Sequence, residues 1–172
     1  RQMCIRDRSY KMDKQIQYLQ TCLPAAEKAG GTYDMNPVVI LAQGALESGW
    51  GTSHLAREHH NYFGIMGYGA SNGYWHGERA KVEGIGGVHY FRHYVGVEFS
   101  FLDFARLIRT GYHRAWSFSR QPEAYAKEIA YSPYISEQNG DNRELYCRNL
   151  IAITEKIITL KDMYDWMRGR AK

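Results

Sequence analysis

The stretch Ala42-Gln43-Gly44-Ala45-Leu46-Glu47-Ser48-Gly49-Trp50-Gly51 decides how this chain is read. Upstream of it, Val38, Val39, Ile40 and Leu41 extend an apolar helix backwards. Asn36-Pro37 supplies the start signal, Asn as cap and Pro in the first turn. Gly49 stops the helix, so Glu47 is a lone carboxylate at the end of an apolar segment. A carboxyl held against apolar surface resists ionisation, because desolvation penalises the charged form. Kept protonated near neutral pH, it is equipped to act as a general acid. Trp50 follows closely enough to share a pocket wall with Glu47.

Working outward, a chain of 172 residues is the size of one domain and can bury a core without covalent staples. Hydrophobic residues at 44% and charged residues at 23% are ordinary for a globular protein. The aromatic share of 14% suits stacking on sugar rings, but composition alone favours a plain core. The net charge of +4 sits at the ends: residues 1–11 carry +3 and residues 161–172 carry +2, which leaves 12–160 at −1. No global field draws such a domain to nucleic acid. Residues 1–11 have no apolar period and Met12 is a natural start, so 1–11 read as a non-native or disordered head. Residues 12–160 read as the domain and 161–172 as a basic amphipathic tail. No apolar leader and no run of about 18 apolar residues is visible, so neither a signal peptide nor a membrane span is expected. Cys4, Cys22 and Cys147 form no CxxC pair or framework, and free buried thiols are expected at Cys22 and Cys147.

Periodicity outlines the rest. Ile16, Leu19, Leu23 and Ala26 place a helix over 13–29, kinked at Pro24 and ended by Gly30-Gly31. Ser53 caps a short helix over 54–60. Residues 61–87 are rich in Gly, Tyr and Trp and lack a helical period. Residues 79–83 and 88–94 flank Gly84-Ile85-Gly86-Gly87 as a β-hairpin, with His89, Phe91 and His93 on one face. Helices return over 98–110 and from Pro122 to about Ala130. A last helix opens at an Asp141/Glu144 capping box and turns Cys147, Leu150, Ile151, Thr154, Ile157 and Ile158 inward. The outline is mainly α (α+β), a helical domain with one small β excursion.

Leu46–Gly51 as LESGWG, Ser53, and Asn61–Ile65 as NYFGI together resemble the glucosaminidase family, glycoside hydrolase family 73. Tyr74-Trp75-His76-Gly77, Phe91-Arg92-His93-Tyr94 and the helix over 99–107 continue the match, which covers residues 15–158. The resemblance implies a lysozyme-like helical lobe, a small β-hairpin lobe and a cleft between them. It implies cleavage of the β-1,4 bond after N-acetylglucosamine in peptidoglycan, with Glu47 as the catalytic acid. The family's second acid comes from the hairpin, often as T-x-E. This hairpin lacks that threonine, leaving Glu83 as first choice and Glu78 as second. Such a group would activate water or steady the oxocarbenium-like transition state, unless the substrate's own acetamide does so. A family tyrosine maps to Tyr134, with Tyr131 as alternative, and a further one to Tyr146.

Gln43, Trp50, Asn61, Tyr62, Phe63, Tyr74, Trp75 and Tyr146 are the candidate substrate contacts. Arg92 and Tyr94 are expected to tie the hairpin to the helical lobe. His59-His60 and His89/His93 lack a third ligand at zinc spacing, so no metal and no cofactor is expected. The implied partner is the peptidoglycan glycan strand, met by a monomer at the periplasmic or extracellular wall. With no signal peptide visible, export falls to a holin, a secretion system or a longer parent chain. A lytic transglycosylase and a non-catalytic glycan-binding phage module are the alternatives. The first uses a G-L-M-Q-like segment where this chain has Asn-Tyr-Phe-Gly-Ile-Met, and the second has no need of Glu47.

Overall fold

A computed structural model describes residues 4–137 and 142–170. Helix α2 (Pro37–Ser48) runs through its middle with Val39, Ile40, Leu41, Ala42, Gln43, Gly44, Ala45 and Ser48 all buried. Its ends are built as read: Asn36 Oδ1 accepts from the Val38 amide, Pro37 opens the first turn, and Gly49 takes the left-handed conformation at φ 57°. A helix apolar on every side has to be wrapped. Here α1 (Ile5–Tyr33) and α7 (Arg143–Arg170) both pack against α2, and α4 (Val97–Gly111) packs against α1. Gly44 is what allows the close approach. A Cβ there would lie 2.6 Å from the Tyr18 hydroxyl of α1 and 3.2 Å from the Phe63 ring.

Both terminal helices outrun the 12–160 span. Residues 5–11, read as a head outside the fold, are helical and continue α1, because once a packed segment nucleates a helix each added residue gains a hydrogen bond. Gly30-Gly31 do not end α1. It runs on to Tyr33 and is capped by left-handed Asp34. Gly30 instead makes room for the returning chain, since a Cβ would meet the Met35 carbonyl oxygen at 2.5 Å. At the other end Leu160 is buried and Tyr164 packs on the core, so residues 161–170 of the expected tail are the last turns of α7. Asp141, proposed to open that helix, lies outside the described residues. Cys22 and Cys147 are buried free thiols, and burial pushes the Cys22 thiol up to about 12.

The short α3 (His54–His59) starts on a Ser53 cap that accepts from the Ala56 amide. After it comes an irregular stretch and then the hairpin, β1 (Arg79–Gly84) paired antiparallel with β2 (Gly87–Arg92) in the register Val82↔His89 and Gly84↔Gly87. His93, expected to continue β2, lies past the strand's end, and its Nδ1 stands 3.0 Å from His59 Nδ1. Two short helices complete the helical lobe. The sequence period missed α5 (His113–Ser117), a helix too short to show one, whereas α6 (Pro122–Ala130) stands where expected.

The hairpin lobe is fastened to α4 through Asp103, which has no solvent exposure. Its Oδ2 accepts from Arg92 Nη1 at 2.8 Å and from the Tyr94 hydroxyl at 2.5 Å. Its Oδ1 accepts from Asn72 Nδ2 at 3.0 Å and Arg106 Nε at 2.9 Å. Arg92 and Tyr94 thus hold the lobes together as expected, but the group they hold was not foreseen. Burial alone would raise this carboxyl, yet the Tyr94 hydrogen bond and the two guanidinium groups outweigh it and hold it below the ordinary carboxylate value. A carboxyl lowered in this way stabilises the fold above its unfolded pKa, and the contribution is lost as pH falls through the folded one. Asp103→Asn leaves Arg92 uncompensated and is expected to remove about 3–5 kcal/mol of stability. Melting at pH 7 and again below about pH 4 checks this, with the gap to wild type narrowing in acid.

Candidate active site

Glu47 sits in the last turn of α2 and is exposed. Phenols join the apolar side chains around it. Tyr146, on the first turns of α7, donates its hydroxyl to Glu47 Oε1 at 2.7 Å. Gln43, one helical turn back on α2, donates from Nε2 to the Tyr146 oxygen at 3.2 Å. On its other side Gln43 Oε1 accepts from the Tyr125 hydroxyl of α6 at 2.5 Å. Tyr134, in the loop after α6, joins the cluster with its ring edge-on to Tyr112 at 5.5 Å. Burial first, and then the Glu47 charge, raise Tyr125, Tyr134 and Tyr146 above the ordinary phenol value. They therefore stay protonated at neutral pH and serve as donors, not bases.

The carboxyl opens on a cleft of about 460 Å³. Leu46, Glu47, Tyr146, Tyr134, Ile135, Tyr112 and Leu107 line its helical side, and Phe63, Gly64, Ile65 and Met66 line the other. That far wall is held by main-chain bonds. Asn61 Oδ1 accepts from the Phe63 and Ile65 amides, while its Nδ2 donates to the carbonyls of Ile65 and Arg92. The Arg92 amide donates to the Ile65 carbonyl at 2.9 Å, and its Nε to that of Met66 at 3.2 Å. The floor is Phe63, stacked on Phe104 with centroids 3.9 Å apart.

Of the residues proposed from sequence, Glu47, Phe63, Tyr134 and Tyr146 come together here. Tyr131, the alternative to Tyr134, faces solvent and lines no part of the cleft. Gln43 is fully buried with both amide ends engaged, so it cannot touch a substrate as expected. Asn61, also buried, shapes the wall from within. Trp50 leaves the cleft altogether. Gly49 and Trp50 both take left-handed φ, reversing the chain, and the indole packs edge-on against Tyr18 of α1 at 5.7 Å. Together with Tyr62 it lines a separate groove of about 200 Å³. Tyr74 hydrogen-bonds Tyr33 at 2.8 Å. Trp75 is buried under the Arg92 guanidinium and donates Nε1 to the Glu78 carbonyl, so neither lines the cleft.

The hairpin carboxylates stand apart from Glu47. Glu83 lies beside Lys81 near the tip, its side chain 75% exposed. Glu78, 67% exposed, faces His93 Nε2 at 3.6 Å, and neither lines the cleft. Sequence reasoning missed Leu107, Tyr112 and Ile135, because nothing in a helical period shows which residues a distant loop will meet. Ile65 and Met66 were within reach, since the NYFGI motif ends at one and abuts the other.

A helical lobe, a two-stranded hairpin lobe and a cleft with a carboxyl at the end of its central helix define a lysozyme-like domain. The chain belongs to the Glucosaminidase family, whose model, described as mannosyl-glycoprotein endo-beta-N-acetylglucosaminidase, matches residues 23–159. The glycoside hydrolase domain of FlgJ from Salmonella typhimurium superposes with a TM-score of 0.71 at 21% identity, covering 91% of this chain and 96% of that one. The catalytic domain of the autolysin Auto from Listeria monocytogenes gives 0.65 at 21%, with the same coverage. The peptidoglycan hydrolase FlgJ of Pseudomonas aeruginosa is 27% identical over 157 residues, 83% of this chain. The chain spans 37% of the length of that relative. Because Trp50 lies outside the cleft, Trp50→Ala is expected to leave kcat/KM for a substrate bound in the cleft within about twofold of wild type, whereas Ile135→Arg, inside it, raises KM severalfold.

Proposed function

We propose that this chain is an endo-β-N-acetylglucosaminidase that cuts the β-1,4 bond after N-acetylglucosamine in peptidoglycan, with Glu47 as its general acid. The observation that carries this reading is the placement of Glu47 at the cleft with Tyr146 donating to Oε1. Tyr146 claims one carboxyl oxygen, so a proton carried by Glu47 resides on Oε2. As that proton passes to the leaving-group oxygen, the charge left on Glu47 strengthens the Tyr146 hydrogen bond. Tyr134, protonated and in the cleft, is suited to hydrogen-bond the acetamido group or orient the attacking water. Glu83, or in second place Glu78, is the proposed helper if the hairpin lobe closes over a bound glycan. The substrate's acetamide is the other means of stabilising the oxocarbenium-like centre. The place of action is then the bacterial wall, met by a monomer.

Among the described residues Glu47 is the one carboxylate that lines the cleft, and this favours a second reading, a lytic transglycosylase working with a single acid. Products separate the two: hydrolysis leaves reducing N-acetylglucosamine ends, and transglycosylation leaves anhydro-N-acetylmuramic ends. In a zymogram on purified bacterial wall the wild type is expected to clear, and Glu47→Gln to lose roughly 10²–10⁴-fold in rate. Equal clearing by both proteins overturns the assignment. Mass spectrometry of the wild-type digest is expected to show reducing N-acetylglucosamine ends.

A further inference from the structure

We infer that Gln43 and Tyr125, which touch no part of the cleft, are positioning residues: through a buried, one-directional hydrogen-bond relay they fix the Tyr146 proton on Glu47. The inference rests on the proposed role of Glu47 and adds two residues behind it.

The direction of the relay follows from what each group can do. A primary amide accepts at one end and donates at the other. Tyr125, fully buried on α6, donates to the oxygen end of Gln43. The amide is thereby held with Nε2 toward Tyr146, whose oxygen accepts. The Tyr146 hydroxyl has one proton, and with its oxygen already accepting from Gln43 that proton goes to Glu47 Oε1. Among the described residues, Tyr125 of α6, Tyr134 of the following loop and Tyr146 of α7 are titratable groups that feel the Glu47 charge.

Without Tyr125 the amide has no fixed orientation. Turned over, it presents Oε1 to Tyr146, and the phenol proton leaves Glu47 for the amide oxygen. The consequence has a definite sign. A donor to Glu47 favours its charged form, so losing the donor makes the carboxyl a weaker acid. The basic limb of the pH–rate profile then moves to higher pH, and the plateau falls because proton donation is less favourable.

Tyr125→Phe keeps the ring that packs the core and removes only the hydroxyl. Gln43→Met keeps the side-chain length and removes both polar ends. Two readouts are needed, one independent of turnover. The first is the 13C titration of the Glu47 carboxyl followed by NMR in the wild type and both variants. The second is kcat and KM on soluble peptidoglycan strands. In Gln43→Met, which gives the Tyr146 proton no amide oxygen to turn to, the Glu47 midpoint is expected to stay near that of the wild type; in Tyr125→Phe it is expected at higher pH. With it comes a kcat roughly 10-fold lower, the rate equivalent of one weakened charge-assisted hydrogen bond, at unchanged KM. A midpoint that stays in place in Tyr125→Phe overturns the relay, whatever happens to turnover. A wild type that does not turn over peptidoglycan refutes the proposed function instead, and the titration still decides the relay.

Discussion

The carboxylate of Asp103, buried in the middle of α4, is a charge that the helical lobe alone satisfies only in part. α4 contributes only Arg106, and the other donors, Asn72, Arg92 and Tyr94, all come from the segment that forms the hairpin lobe. Burying a lone carboxylate is prohibitive, so the helical lobe reaches its final packing only with the other lobe in place. The same Arg92 then reaches on, through its backbone and its guanidinium, to Ile65 and Met66. The far wall of the cleft is therefore set by the interaction that joins the lobes, and its position relative to Glu47 is a consequence of satisfying Asp103.

The near side of the cleft is built on a different principle. α2 is apolar all round and is wrapped by α1 and α7, with Gly44 admitting Tyr18 and Phe63 to close range. Into this apolar setting the chain places one amide, Gln43, and satisfies it with tyrosines from two other helices. A fully paired buried polar network fixes orientation as well as contact. Its visible end is the Tyr146 hydroxyl on Glu47. There the phenol meets the carboxyl at an exposed position, at the edge of the cleft.

Local chemistry was legible where it is decided locally. The Asn36-Pro37 start and Gly49 stop of α2, the Ser53 cap, the hairpin turn and α6 all stand where residue type and spacing put them. The motif LESGWG with NYFGI was enough to mark Glu47 and the cleft wall. Reading failed where a residue's role depends on where the chain goes next. Trp50, close to Glu47 in sequence, is carried to another groove by two successive left-handed residues. Gln43, Asn61 and Trp75 look like substrate contacts by type, yet each is buried and bonded to its own protein. Asp103, in a helix whose period looked complete without it, gave no sign that it joins the lobes.

By itself the sequence determined α2, α3, α6, the hairpin and the identity of the lone carboxyl on α2, because caps, glycines and apolar periods act within a few residues. The tertiary structure alone decided which side chains face Glu47. Tyr125 and Tyr146 arrive from α6 and α7, and only tertiary packing brings their hydroxyls onto one amide and one carboxylate. The need to pair buried polar groups, which has no local signature, chose that arrangement.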